Sequence, residues 1–94
     1  MSRSLQVVRT PRYESDLMGI GEYIEKHNAD AAYTMVRLPE SQVDSLADPN
    51  FPRRPGRVPG TLELVAHPHY IVLLDQTDTT VSALAVMHVA RQYP

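Results

Sequence analysis

Ninety-four residues, 43% of them hydrophobic and 21% charged, make a chain too apolar to stay disordered and able to bury about 60–65% of its unfolded surface in one modest core. The absence of cysteine excludes disulfides and thiolate metal sites and fits a reducing compartment. A formal net charge of −2, with eight arginines and one lysine as the basic set, argues against an extensive phosphate grip, because a basic excess normally drives such binding.

Leu5 to Arg9 is a short β-prone run that Thr10-Pro11 ends. Thr10 is a suitable helix N-cap, and Pro11 suits the first turn, where its missing N–H is harmless. Tyr13, Leu17, Ile20 and Ile24 then recur at spacings of four, three and four, the signature of an amphipathic helix. Gly19 and Gly21 each weaken that helix by roughly 1 kcal/mol relative to alanine. Lys26-His27-Asn28 reads as its end, with Asn28 able to cap the next helix. The second helix is predicted over Ala29 to Ala47, with Ala32, Met35 or Val36, Val43 and Leu46 on one stripe. Pro39 falls on that stripe, and an interior proline costs about 3 kcal/mol, so the helix must kink or break there; a kink is the expectation.

Asp48 to Gly60 holds prolines at 49, 52, 55 and 59, a density that predicts a stiff surface loop with no regular element. Three strand-like runs follow: Leu62 to Ala66, Tyr70 to Leu74 and Val81 to about Met87. His67-Pro68-His69 and Gln76 to Thr80 connect them, both short enough for antiparallel hairpins. The last run is apolar at alternate and intervening positions alike, which marks a central, covered strand. The order is β-α-α-β-β-β, and the expected fold is α+β: two N-terminal helices packed on a small, mainly antiparallel four-stranded sheet, one domain over 1–94. The apolar runs fall far short of a membrane span, and MSRSLQVVRT holds no sustained apolar stretch for a secretion signal. These features point to a soluble, cytoplasmic protein.

Two clusters stand out. Arg53, Arg54 and Arg57 could dock a nucleic-acid backbone or an acidic protein surface, or could simply keep the loop solvated. His67 and His69 share a face if extended, but Pro68 between them suggests a turn and no third ligand is evident, so neither a metal nor another cofactor is expected.

Arg54-Pro-Gly-Arg-Val-Pro-Gly-Thr61 leading into Glu63-Leu64-Val65, then Tyr70-Ile71-Val72, then Met87-His-Val-Ala-Arg-Gln-Tyr-Pro94, in this order of elements, resembles the RelE/ParE toxin superfamily. Asp16-Leu17, Ile20, Tyr23-Ile24 and 28–32 extend the resemblance over nearly the whole chain. It implies a small cytoplasmic toxin of a type II toxin–antitoxin module, linked to growth arrest and to plasmid or chromosomal stability. An antitoxin from an adjacent gene would neutralise it in a hetero-oligomer, folding over apolar surface that includes Leu17, Ile20 and Ile24.

The superfamily has a ribonuclease branch, which cleaves mRNA on the ribosome, and a ParE-like branch, which inhibits DNA gyrase without an established catalytic set. By resemblance to the first, His88, Arg91 and Tyr93 would supply proton transfer, phosphate holding and stacking; Arg53, Arg54, Arg57 and Glu63 are, by their charge, the candidate target- or phosphate-binding residues. Histidine and arginine suit 2′-OH attack on a phosphodiester, but a second acid/base partner is not evident beyond Glu63, which also reads as an ordinary outward strand residue. His88 has the alternative of a packed strand residue, and Arg91 that of a surface ion pair. Leu62 stands where the family commonly has arginine, and Leu74-Asp75 where it commonly has Tyr-Arg. Both departures remove function from the sheet region that the ribonucleases use for phosphate. They favour the ParE-like reading, keep ribosome-dependent endoribonuclease as the alternative, and leave a third reading of attenuated activity.

Overall fold

A computed structural model describes residues 4–26 and 28–88, with 29–34 described as backbone alone. The elements are β1 (Gln6–Arg9), α1 (Pro11–Glu25), α2 (Ala29–Ser45), β2 (Arg54–Pro55), β3 (Leu62–His67), β4 (Tyr70–Gln76) and β5 (Thr80–His88). They build one sheet in the order β1-β5-β4-β3-β2, antiparallel except for the parallel pair of β1 and β5. The α+β class is as the sequence predicts, with five strands rather than four. The extra strand lies inside the proline-rich segment read as a loop, where Arg54 pairs Glu63 and Pro55 pairs Leu62. A proline is tolerated at that outer edge, where a missing N–H breaks no ladder.

Thr10 caps α1 through its hydroxyl, which accepts from the Tyr13 N–H at 3.2 Å, and Pro11 occupies the first turn. α2 runs through Pro39 as a single helix. The proline is fully buried, so its packing offsets part of the lost hydrogen bond. Both helices lie on one face of the sheet, α1 against β5 and α2 against β3. Tyr13 and Leu17 of α1, Val43 and Leu46 of α2, and Leu64, Val72, Leu74, Val81 and Val86 of the sheet fill the core between them. β5 is an interior strand between β1 and β4, but the helices cover only one of its faces. Ser82, Leu84 and Met87 keep part of their surface open, so the strand covered on both faces that its apolar residues suggest is not found.

Two bulges interrupt the ladders. Leu73 pairs Ala85 while Leu74 pairs Ala83, which leaves Leu84 of β5 as the extra residue. Val65 pairs Ile71 while His67 pairs Tyr70, which leaves Ala66 of β3 as the other. A bulge frees backbone groups from the ladder, and buried ones must find partners. Here the helical layer supplies them: the Thr10 hydroxyl lies 2.9 Å from the Ala83 carbonyl and 3.0 Å from that of Leu84, and Gln42 Nε2 donates to the Ala66 carbonyl at 3.0 Å. A polar staple joins the remaining elements. Glu40 Oε1 of α2 accepts from the Tyr13 hydroxyl at 2.7 Å and from Arg9 Nε of β1 at 3.1 Å, and Arg9 also pairs Asp44. Burial, then the Glu40 carboxylate, raises the Tyr13 phenol well above its ordinary value.

Candidate functional site

Of the arginines of the 53–57 segment, Arg53 is drawn into the fold, whereas Arg54 and Arg57 stay exposed. Arg53 is half-buried and acts as a clasp. Its guanidinium donates to the Phe51 carbonyl (3.0 Å), the Asp48 carbonyl (2.6 Å) and Gln76 Oε1 (2.9 Å), with the Leu46 carbonyl at 3.4 Å. Burial lowers its pKa, against the pull of Asp48. Arg54 Nε donates to Glu63 Oε1 at 3.0 Å, and the Arg57 backbone N–H reaches Glu63 Oε2 at 3.3 Å. Glu63 itself is only 2% exposed, so the outward strand residue suggested by its alternation is in fact a buried anchor. The reason lies in β2, which crosses over that position and brings a cation with it. Leu62, where the family commonly has arginine, packs against the core, and Asp75 is exposed.

The opposite end of the sheet carries a different arrangement. His88 ends β5 and pairs across the ladder with Tyr70, their rings edge-on at 5.2 Å. His69 stacks parallel to His88 at 6.1 Å, and His67 lies 5.3 Å from His69. His67 Nδ1 accepts the His69 N–H, and burial, then the nearby His69, holds its pKa below the usual value. Pro68 makes the turn that its position suggests. Among the described residues, no group of three or more potential ligands is placed to hold a metal ion.

His88 and Tyr70 also wall a recess of about 400 Å³ between the sheet and α1, completed by Asp16, Ile20 and Tyr23. Asp16 Oδ2 accepts the Val86 N–H at 3.0 Å and has Arg12 Nε at 3.7 Å on its outer side. Among the described residues, a β-carbon at Gly19 would meet nothing within 4 Å. The helix positions these groups directly: 16, 20 and 23 follow 13 at helical spacing, so Asp16 and Tyr23 share the side of Ile20 that faces the sheet.

The structure therefore brings His88 together with Asp16, Tyr23 and Tyr70, none of which the sequence singled out as site residues. The signal for them was an acid at an inward position of α1. It does not bring His88 together with Arg53, Arg54 or Glu63, which lie toward the other end. Arg91 and Tyr93 lie outside the described residues. Of the apolar positions on α1, Leu17 is buried in the core, while Ile20 and Ile24 keep part of their surface open. Among the described residues no helix is long and apolar enough to cross a membrane.

Comparisons with known proteins converge. A family model described as "ParE toxin of type II toxin-antitoxin system, parDE" matches residues 7–93. A protein of Sinorhizobium fredii named "Putative toxin Y4kP" is 39% identical over 75 residues, covering 80% of this chain and 78% of that protein. A solved chain of the chromosomal ParDE system from P. aeruginosa superposes with a TM-score of 0.82 over 94% of this chain and 99% of its own. At 20% identity, that likeness is one of fold.

Proposed function

We propose, because this chain belongs to the ParE toxin family of type II toxin–antitoxin systems, that it acts by binding and blocking a target, DNA gyrase, and is neutralised by an antitoxin encoded beside it. The observation that carries the choice is what surrounds His88. Ribonucleolytic 2′-OH attack needs a cation beside the phosphorane as well as groups that move protons. The recess that His88 lines holds the Asp16 carboxylate, a like charge that a phosphorane bound there would meet. Arg53 and Arg54, two of the four arginines that could have cradled phosphate, have guanidinium groups bonded to carbonyls and to Glu63 at the other end of the sheet. A surface of this kind is better suited to protein recognition than to phosphoryl chemistry.

The test is reconstituted supercoiling. Purified gyrase is expected to lose supercoiling activity as the chain approaches stoichiometric amounts, and antitoxin is expected to restore it. Full supercoiling in the presence of a molar excess would overturn the reading. Primer extension on translated mRNA is expected to show no new 5′ ends in the A-site codon; their appearance would favour the ribonuclease branch instead.

A further inference from the structure

We propose that the recess between α1 and the ends of β4 and β5 is a socket for a basic side chain of the antitoxin, an arginine held by the Asp16 carboxylate among the rings of Tyr23, Tyr70 and His88. The proposal rests on the antitoxin part of the reading above and is independent of the gyrase part.

The lining selects the occupant. Aromatic rings present negative faces that attract cations, and a carboxylate beside them adds a charge-assisted hydrogen bond. A phosphate or nucleobase-bearing strand would meet Asp16 as a like charge. A purely apolar anchor would cover that carboxylate without compensating it, which is unfavourable. Asp16 already shows its preference, because its Oδ2 accepts the Val86 N–H and has the Arg12 guanidinium at 3.7 Å, which leaves Oδ1 for an occupant of the recess. Arg12 is mostly exposed, so it neutralises the carboxylate little.

Asp16 is the one carboxylate among the described side chains that line the recess, so the sign of the occupant is set by that group. Ile20 gives the aliphatic stem of an arginine an apolar wall, and Gly19 beside it adds no side chain, with none of the described residues within 4 Å of where its β-carbon would stand. Half-buried Ile24 and the exposed Tyr23 continue the surface along the helix, so an antitoxin segment lying on α1 would deliver its basic residue into the recess.

The probes are N-acetyl-arginine methylamide, its uncharged isostere N-acetyl-citrulline methylamide, and N-acetyl-tyrosine methylamide, each titrated into the full chain and followed by amide chemical shifts. The arginine probe is expected to give saturable shifts at Gly19, Val86 and His88, with citrulline about tenfold weaker. Asp16→Asn, which keeps an acceptor for the Val86 N–H, is expected to remove the difference between the two. Gly19→Leu is expected to block all binding while the chain stays folded. Equal binding of arginine and citrulline to the unmodified chain, tighter binding of the tyrosine probe, or an unaltered preference in Asp16→Asn would overturn the socket. In the complex with the cognate antitoxin, Asp16→Asn is expected to speed dissociation about tenfold; an unchanged rate would overturn the assignment to the antitoxin. Gyrase inhibition is measured without antitoxin, so failure here and failure of the gyrase reading are seen separately.

Discussion

Gly19 and Gly21 stand two residues apart on α1 and meet different surroundings. Among the described residues, a methyl group at Gly19 meets nothing within 4 Å, whereas at Gly21 it would come within 2.9 Å of Val36 Cγ2 on α2. Gly19→Ala should therefore raise stability by about 0.5–1 kcal/mol, the ordinary helical gain. Gly21→Ala should gain nothing or lose stability, because α1 and α2 must part to admit it. Urea unfolding of the two variants separates these outcomes. Tyr13 carries a second residue-scale prediction. Its phenol holds its proton more tightly in the fold than in the free chain, where it ionises near pH 10.0. The fold is thus fully favoured below that pH and loses stability as the pH rises above it. Tyr13→Phe should lower stability by about 1 kcal/mol at neutral pH, since Glu40 keeps its bond from Arg9, and should flatten the decline above pH 10. Unfolding midpoints measured at neutral and alkaline pH test both statements.

At the scale of elements, the joints are made by single side chains that serve two masters. Thr10 caps α1 and also bonds the carbonyls around the β5 bulge, so one hydroxyl fixes the helix start against that interior strand. Thr10→Val keeps the shape and deletes all of these bonds. It should lower stability by about 2 kcal/mol, the upper end for a lost cap, while Thr10→Ser should recover most of the loss. Thermal unfolding of the pair decides this, and equal losses in both variants would sink the double role. Most elements were legible because periodicity survives without knowledge of the partner: α1 from its four-three-four spacing, and β3 to β5 from short apolar runs between turns. β2 was hidden because prolines mark loops unless the strand is an outer edge. The bulges were hidden for a deeper reason, since a slip in pairing exists only between two strands and leaves no trace in either one alone. Glu63 was misread on the same ground, as its burial comes from a cation nine residues earlier that only β2 brings across.

For the whole molecule, chain order and spatial order disagree at one place. β1, the first strand among the described residues, pairs with β5, the last of them, whereas the hairpins β3–β4 and β4–β5 and the α1–α2 pair join neighbours. Contacts that close the longest loop are expected to form last. Val7→Ala, in β1, should destabilise by about 1 kcal/mol and do so by hastening unfolding about fivefold, with refolding nearly unchanged. Val72→Ala, at the centre of the hairpins, should slow refolding. Stopped-flow folding and unfolding arms give both answers. The candidate site is dispersed in the same way. Asp16 and Tyr23 come from α1, Tyr70 from β4 and His88 from β5, so the sequence could offer His88 as chemistry but not the company it keeps. In the arginine segment, adjacent cations look alike in sequence until Arg53 is seen to face backbone carbonyls and Gln76, and Arg54 to face Glu63.

The two bulges also act as a counting device. Leu84 and Ala66 are residues that no partner strand answers, and each turns over the alternation of everything beyond it in its own strand. This is why His67 and His88 end on the side of the sheet that carries the helices, beside Tyr70. Removing one residue from between Ala83 and Val86 would leave a strand that still pairs, but it would carry His88 and the chain's exit to the opposite side. No exchange of one amino acid for another can do that. Insertions and deletions in the last strand, more than substitutions, are therefore the changes by which a chain of this build could trade one binding face for the other while keeping its core.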